Sequence, residues 1–535
     1  MIGRNSIELA LRNIARFGDT DVFPFALETA WFHDAEPECV GLLEECDKHF
    51  DDWIREYPFL HVKSLTSVGY AGFRAATQID PIWNAYLLAL VVEIGPDLER
   101  ARVPVTKEMV FSYRYVPGPD THSLFDTNLG WVAFQSTALA RASAQAFVLA
   151  TDISDFYPRI YHHRLENALQ QATERRDIVN RIIVLLAKFS QTSSYGLPVG
   201  GNAARVLAEL LLNRVDRLLV ADKIDFVRFV DDYYVFADSR EAAQRALVFL
   251  SETLLENEGL GLSRAKTRLM TRAEFLRSSP IAEPDVAESE VEAEARRFLK
   301  IRLAYDQYSP TADDDYDLLE KELAKFDVLA MLAREFGKSR VDEALVRQLL
   351  KAVRFLEPAV RQSAVESIVN NLGLLYPVFP TVAILLRKLL PELKDVTREL
   401  VFERFRALVA RESHITLVPA NLAFAIRVLA YDKAEDTDVL FIQLYNRPRT
   451  DMMIKRDIIL AMTRRRVSYW LSDTLKRYAV LTPWERRALL VSCYVLTDEG
   501  KHWRESVKKD LSLVDAAFMR WVAHKYNGRI WDIPL

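Results

Sequence analysis

Glycine is scarce in this sequence, 17 of 535 residues, proline is only slightly commoner at 21, and cysteine is nearly absent at three. Beside 50% hydrophobic and 27% charged residues, these low counts exclude collagen-like, low-complexity and largely disordered chains. Cys39, Cys46 and Cys493 form no CxxC pair and are too few for a disulfide framework or a cysteine zinc site, so a reducing cytoplasm is expected. No stretch reaches the roughly 18 uncharged apolar residues that cross a bilayer, and no membrane partner is expected. The opening MIGRNSIELALRN carries Glu8 and has no apolar core, so it does not read as a secretory leader.

What is present points to a folded chain of three or four domains, or two with one extended. The net charge of -5 conceals a division along the sequence. Residues 1–100 carry 8 basic against 17 acidic side chains, whereas residues 351–535 carry 30 against 21. A phosphate backbone responds to local patches, so the acidic total does not exclude nucleic acid. A solvated helical surface rich in arginine accounts for the basic third equally well.

The pattern changes three times. Up to about residue 145, helical runs such as IELALRNIARF and WNAYLLALVVEI accompany an alternating segment at 103–116, VPVTKEMVFSYRYV, which predicts one or two strands. From about 146 to 280, strand runs (FVLATDI, IDFVRFVDDYYVFA) alternate with amphipathic helices, a mixed α/β order. Acidic stretches at 281–295 and 311–317 read as connectors or exposed helix ends. Beyond residue 318 no strand is expected; runs of about 11 to 19 residues at helical periodicity follow one another, with Pro358, Pro377, Pro380, Pro391 and Pro419 at the breaks. Such serial helices suggest stacked hairpins of the HEAT type, the competing arrangement being a compact irregular helical domain. The fold class expected is therefore α+β, followed by an all-α region.

The chemistry concentrates in the middle. Asp152 ends an apolar strand, and Asp231 and Asp232 lie between two strand-like runs. Tandem aspartates at a hairpin tip, beside a third at the end of a neighbouring strand, can hold two divalent cations about 3.5 to 4 Å apart. Such ions activate an attacking 3′-hydroxyl and neutralise departing pyrophosphate. Between them, SYGLPVGGNAARVLAE runs a glycine loop into a helix, where Gly196, Gly200 and Gly201 permit close backbone approach to a nucleotide or template base. Lys266, in GLSRAKT, is placed to reach a triphosphate and protonate the leaving group. Each feature alone has an ordinary explanation: a turn, a loop, a solvated lysine. Their order along one chain is the signal. His162 and His163 diverge by about 100° on a helix, so a surface role is expected rather than a metal pair. Arg464, Arg465 and Arg466, followed by Tyr469 and Trp470, form either a nucleic-acid patch or a solvated helix end.

In that order the motifs resemble the palm of a reverse transcriptase. TDISDFYPRI looks like motif A, GLPVGGNAARVLAE like motif B, FVDD like the YxDD box, with Phe229 for its tyrosine, and GLSRAKT like motif D. The resemblance implies a domain of fingers and palm at 101–285, an N-terminal helical and fingers region at 1–100, and a HEAT-like domain at 318–535. It implies Asp152, Asp231 and Asp232 as catalytic residues binding two Mg²⁺ or Mn²⁺ ions, with the Ile153 carbonyl as a further ligand. Tyr157, beside Phe156, would stand where a bulky ring excludes the ribose 2′-hydroxyl, selecting dNTPs. Gly200, Lys266, Lys107 and Arg114 would contact the nucleotide, the last two through its triphosphate. Val199 departs from the polar residue common at its position, which leaves ordinary template handling open.

With no segment recognisable as an RNase H domain, integrase or protease, a palm joined to HEAT-like helices resembles the bacterial abortive-infection reverse transcriptases of the AbiK type and their anti-phage relatives. GDTDVFPF at 18–25 and GFRAATQIDPIWNAY at 72–86 are similar to that group as well. What this implies is a homo-oligomeric DNA polymerase of the bacterial cytoplasm, acting in phage defence, untemplated and primed from a tyrosine to which the DNA stays attached. Tyr70, Tyr113 and Tyr115 are the upstream candidates. A templated enzyme copying a particular noncoding RNA, and an inactive nucleic-acid-binding scaffold, are the alternatives.

Overall fold

The computed structural model describes residues 1–118, 120–191, 193–278, 290–301, 322–323, 325–526 and 531–535. The acidic connector at 311–317, and most of that at 281–295, lie outside the described residues. Two compact units interleave along the chain: Met1–Asp21, Phe25–His61 and Thr77–Asp285 form the first, and Val22–Pro24, Val62–Ala76 and Val286–Leu535 the second.

Among the described residues there are six strands. β1 (His61–Val68) and β2 (Gly72–Ile79) pair as a hairpin that the sequence reading did not anticipate. Its signal was legible: alternation through HVKSLTSV, then a Gly-Tyr-Ala-Gly turn. β3 (Phe147–Asp152), β4 (Asp225–Phe229), β5 (Asp232–Ala237) and β6 (Arg268–Thr271) form an antiparallel sheet in the order β4-β5-β3-β6. The segment 103–116 is not a strand. It holds a short 3₁₀ turn at Val105–Lys107 and only isolated bridges, from Val110 to Arg228 and from Tyr115 to Phe125. Left-handed backbone at Glu108 and Tyr113 breaks the alternation that suggested pairing.

Strand period two gives the sheet two different faces. On one, Val148, Val227 and Phe236 pack with Phe134, Ala138 and Ala142 of the helix Trp131–Ser143 and with Phe275. On the other, Phe226, Arg228 and Tyr233 are buried, and the helix Asn202–Ala221 turns Leu212, Glu209 and Asp216 inward. The helix Pro81–Ala101 is buried nearly all round; Pro81 opens it and the Asp80 carboxylate caps it by accepting from the Ile82 N–H.

The second unit beyond residue 327 is helical, as the periodicity predicts. Glu343–Ala352, Phe379–Leu389, Pro419–Leu429, Met452–Arg464, Pro483–Ser492 and Leu513–Tyr526 pack each against the next. A second row, Val328–Phe336, Pro358–Asn370, Asp395–Ala410 and Glu435–Tyr445, does the same. Two parallel rows of alternating helices are the stacked-hairpin arrangement rather than the irregular one. Proline does open helices here, at Pro358, Pro419 and Pro483, the last with a Thr482–Glu485 capping box. No described helix is long and apolar enough to cross a membrane.

Glu258 ends the helix Arg240–Glu258 just before Gly259, whose left-handed backbone closes it. A carboxylate there faces the negative end of the helix dipole, and burial pushes its pKa up to about 7 against the pull of Arg164 and Arg214. Between the ordinary glutamate value and 7 the folded chain retains a proton that the unfolded chain has released, so this contribution to stability is lost as pH rises through 7. Glu258→Gln should therefore raise the melting temperature at about pH 8.5 and change it little at about pH 5. An equal effect at both values in thermal scans would rule the coupling out.

Candidate active site at the end of the sheet

The strand register sets Asp152, the last residue of β3, directly opposite Asp232, the first of β5. Side chains so placed have Cβ atoms about 4.5–5.5 Å apart, and like charges there repel. Asp231 precedes in the turn, its carbonyl accepting from the Ile153 N–H at 3.1 Å. Burial, then Asp152, pushes Asp231 up to about 6; burial, then Asp231 and Asp152, pushes Asp232 up to about 7. Lys266 ion-pairs with Asp152, and its charge opposes both shifts. The loop before it is tied to the strand, since Ser263 N–H donates to the Asp152 carbonyl at 2.7 Å.

The turn that carries Asp231 is strained and firmly held. Val230 is β-branched and has φ of 56°, a left-handed conformation that costs such a residue on the order of 1–3 kcal/mol. Its N–H donates to Ser112 Oγ at 2.9 Å, and its carbonyl accepts from Arg228 Nη1 at 2.7 Å. Arg228, fully buried, spends its other four N–H groups on two carboxylates: Asp216 at 2.9 and 2.6 Å, and Glu209 at 3.2 and 3.0 Å. Glu209 also receives Arg102 Nη2 at 2.6 Å and the Ser112 hydroxyl at 2.5 Å. Arg102 in turn donates to the carbonyls of Ser112 and Tyr113 and to Glu99. Sequence reading missed this network. Its trace was there, in an arginine at an inward strand position and in two acids seven residues apart on a leucine-lined helix face.

The glycine loop is gripped from within the unit. Leu197 N–H donates to the Tyr157 carbonyl at 2.9 Å, Thr77 N–H to Val199 at 3.1 Å, and Asp21 N–H to Gly200 at 3.4 Å. A Cβ on Gly200, where φ is 117°, would stand 2.4 Å from Thr20 Oγ1. The close approach that this glycine permits is thus to the GDTD segment of the same chain, a correction to the expected approach of a nucleotide. Tyr157 packs edge-on against buried Phe156 at 5.4 Å. Burial raises the pKa of its hydroxyl well above the usual value, with Tyr113, Glu209 and Asp231 adding to the rise and Arg205 opposing it.

Other expected residues fall differently. Arg114 is buried, ion-paired to Glu99 and donating to the Val103 carbonyl at 2.9 Å; it belongs to the core, not to an open triphosphate site. Lys107 is exposed in its 3₁₀ turn, with no strand to carry it beside Arg114. His162, expected at the surface, is buried, and its ring bonds to the Gly196 carbonyl at 2.8 Å. Tyr70 is fixed in the second unit, donating to the Leu374 carbonyl at 2.7 Å and accepting from the Val341 N–H. Tyr115 is buried and donates to the Val92 carbonyl at 3.1 Å. Tyr113 lies between the Arg205 guanidinium, 5.1 Å from its ring, and Phe229, and its hydroxyl feels Asp231.

Three partly buried, mutually repelling carboxylates with one ammonium among them make an oxygen-only, under-neutralised donor set. That fits a hard divalent cation such as Mg²⁺ or Mn²⁺. Among the described residues no three His, Cys, Asp or Glu side chains already stand as a coordinating cluster; one Asp152 oxygen is taken up by Lys266.

Residues 97–301 match the family of the reverse transcriptase (RNA-dependent DNA polymerase), so the chain carries a reverse transcriptase domain across this sheet. No curated protein matches the sequence. Similar solved structures include telomerase from Candida albicans in complex with a TWJ fragment of telomeric RNA, 10% identical over 70% of this chain and 68% of that one, with a TM-score of 0.29. Apo telomerase from Candida tropicalis is 11% identical over 74% of each chain, with a TM-score of 0.30.

Removing the arginine from beneath the turn leaves buried Asp216 without its cation and Glu209 with Arg102 alone, which costs about 3–5 kcal/mol. Arg228→Met should lower unfolding stability by that amount in urea titrations. A loss below about 1 kcal/mol would mean that Glu209 and Asp216 are neutral or otherwise satisfied.

Proposed function

We propose that the chain is a DNA polymerase that joins deoxynucleotides at the three-aspartate site, in phage defence. The observation that carries the reading is the register of Asp152 against Asp232, with Asp231 adjoining and Lys266 facing them. Asp152, Asp231, Asp232 and the Ile153 carbonyl would hold two divalent cations, which when bound neutralise charge on the attacking hydroxyl and the departing pyrophosphate. Lys266 carries an ammonium at the same place, raised in pKa by its bond to Asp152 against the effect of burial, and is the proton donor available to the leaving group. Tyr157 sets the sugar specificity by bulk.

The defence assignment rests on the resemblance of the segments at 18–25 and 72–86 and on the helical rows that follow the polymerase domain. Priming from protein requires a tyrosine hydroxyl at the carboxylates. Of the three upstream tyrosines, Tyr113 is the one left: Tyr70 and Tyr115 spend their hydroxyls on backbone carbonyls, whereas the Tyr113 ring packs on Phe229, two residues before Asp231.

The full-length chain incubated with Mg²⁺ and single dNTPs, without primer or template, should gain nuclease-sensitive mass, with the label mapping to the peptide of Tyr113. Asp231→Ala should reduce incorporation to background while the melting temperature holds or rises, since a repelling carboxylate has gone. Incorporation only when RNA and a primer are added would replace the untemplated reading with a templated one, and none under either condition would refute polymerase activity. Tyr157→Val should raise ribonucleotide use relative to deoxynucleotide by about tenfold in competition assays; an unchanged ratio would remove the ring from sugar selection.

A further inference from the structure

The arginine triplet at 464–466 is resolved by the structure into three different roles. Arg465 is half-buried, bonded to Asp438 at 2.6 Å and to the Ala434 carbonyl at 2.8 Å. Arg464 lies over the Tyr431 ring at 3.8 Å and is ion-paired with Asp532 near the C-terminus. Arg466 follows the helix Met452–Arg464 with φ of 58°, a left-handed backbone unusual for a side chain of its size. It is exposed, and its guanidinium has no ion-pair or hydrogen-bond partner among the described residues.

Arg464 and Arg466 open onto a cavity of about 690 Å³ within the second unit. Three aromatic side chains line it as well. Tyr494 and Tyr526 stack with ring centres 5.1 Å apart and planes 5° from parallel, and Trp531 stands at 88° to Tyr526, 5.3 Å away, so the wall turns a corner. Thr497 adds a hydroxyl-bearing side chain to the lining, whereas Thr463 is buried with its hydroxyl bonded to the Ile459 carbonyl at 2.6 Å. The Arg504 guanidinium lies 4.0 Å from the centre of the Tyr494 ring. Arg387 feels the charges of both Arg427 and Arg464, and Arg427 is ion-paired with buried Asp457. Asp532 is the acid lining the cavity, 77% exposed and, among the described residues, ion-paired with Arg464.

We infer that this cavity is a second nucleotide site, taking a mononucleotide by its base beside Tyr526 and Trp531 and by its phosphate on Arg466, with Arg464 available once the phosphate displaces Asp532. The volume lies within the usual range of about 300–1,000 Å³ for small-molecule pockets. A planar base has two faces to stack in an aromatic corner. Arginine binds phosphate with paired, charge-assisted hydrogen bonds, and an unpaired guanidinium sacrifices no existing partner to do so. The inference is independent of the polymerase chemistry, because the site lies wholly within the second unit and needs no metal.

Calorimetric titration of the full chain with deoxyadenosine monophosphate, in EDTA so that no metal-held triphosphate site contributes, tests it. One equivalent should bind. Arg466→Ala, an exposed change that leaves the melting temperature unaltered, should weaken binding by at least about tenfold. Trp531→Ala should weaken it as well, and adenosine and inorganic phosphate should each bind more weakly than the nucleotide. The inference is overturned if deoxyadenosine monophosphate does not bind, if Arg466→Ala binds it unchanged, or if phosphate alone binds as tightly.

Discussion

The Arg228 guanidinium, with all five N–H groups engaged, is the point through which the polymerase unit is organised. It joins β4 to the helix Asn202–Ala221 through two carboxylates, and to the turn before Asp231 through the Val230 carbonyl. Through Glu209 the same network reaches Ser112 and Arg102, and so the segment that lines the site with Tyr113. Buried ion pairs contribute little to net stability, because desolvation offsets their attraction. Their geometric demands are strict, however, and here every donor of the central group has one acceptor in one place. The network therefore specifies position more than it supplies stability.

Position is what the carboxylates need. Asp152, Asp231 and Asp232 repel one another in a partly desolvated corner, and an unconstrained chain would separate them. Strand register forbids this for Asp152 and Asp232, and the strained Val230 turn forbids it for Asp231. Asp155 and Tyr113, also with positive φ, mark the same region. The strain at Val230 is held by Arg228 and Ser112.

Three of the four sheet strands, the hairpin with tandem aspartates and the serial helices were legible in the sequence, because each rests on a local period or a local run; β6, four residues long, was not read as a strand. The segment at 103–116 misled for the same reason: it alternates, but left-handed backbone at Glu108 and Tyr113 and a lone bridge to Arg228 leave it unpaired. Arg114 looked like a phosphate ligand by residue type, yet Glu99, fifteen positions earlier, claims it. The β1–β2 hairpin carried a clear alternation that was overlooked beside the stronger helical signals.

The sequence by itself determined that three acids and a lysine lie at spacings that a strand, a hairpin and a following loop bring together. It also set the helical rows, since apolar periodicity needs no knowledge of a partner. Only the tertiary structure decided which charges are free. Arg114, Arg228 and Arg465 are consumed by carboxylates distant in sequence or on other elements, while Arg466 is left open on an aromatic cavity. A charge in a linear pattern is the same whether paired or not, and pairing is a property of what folding brings beside it.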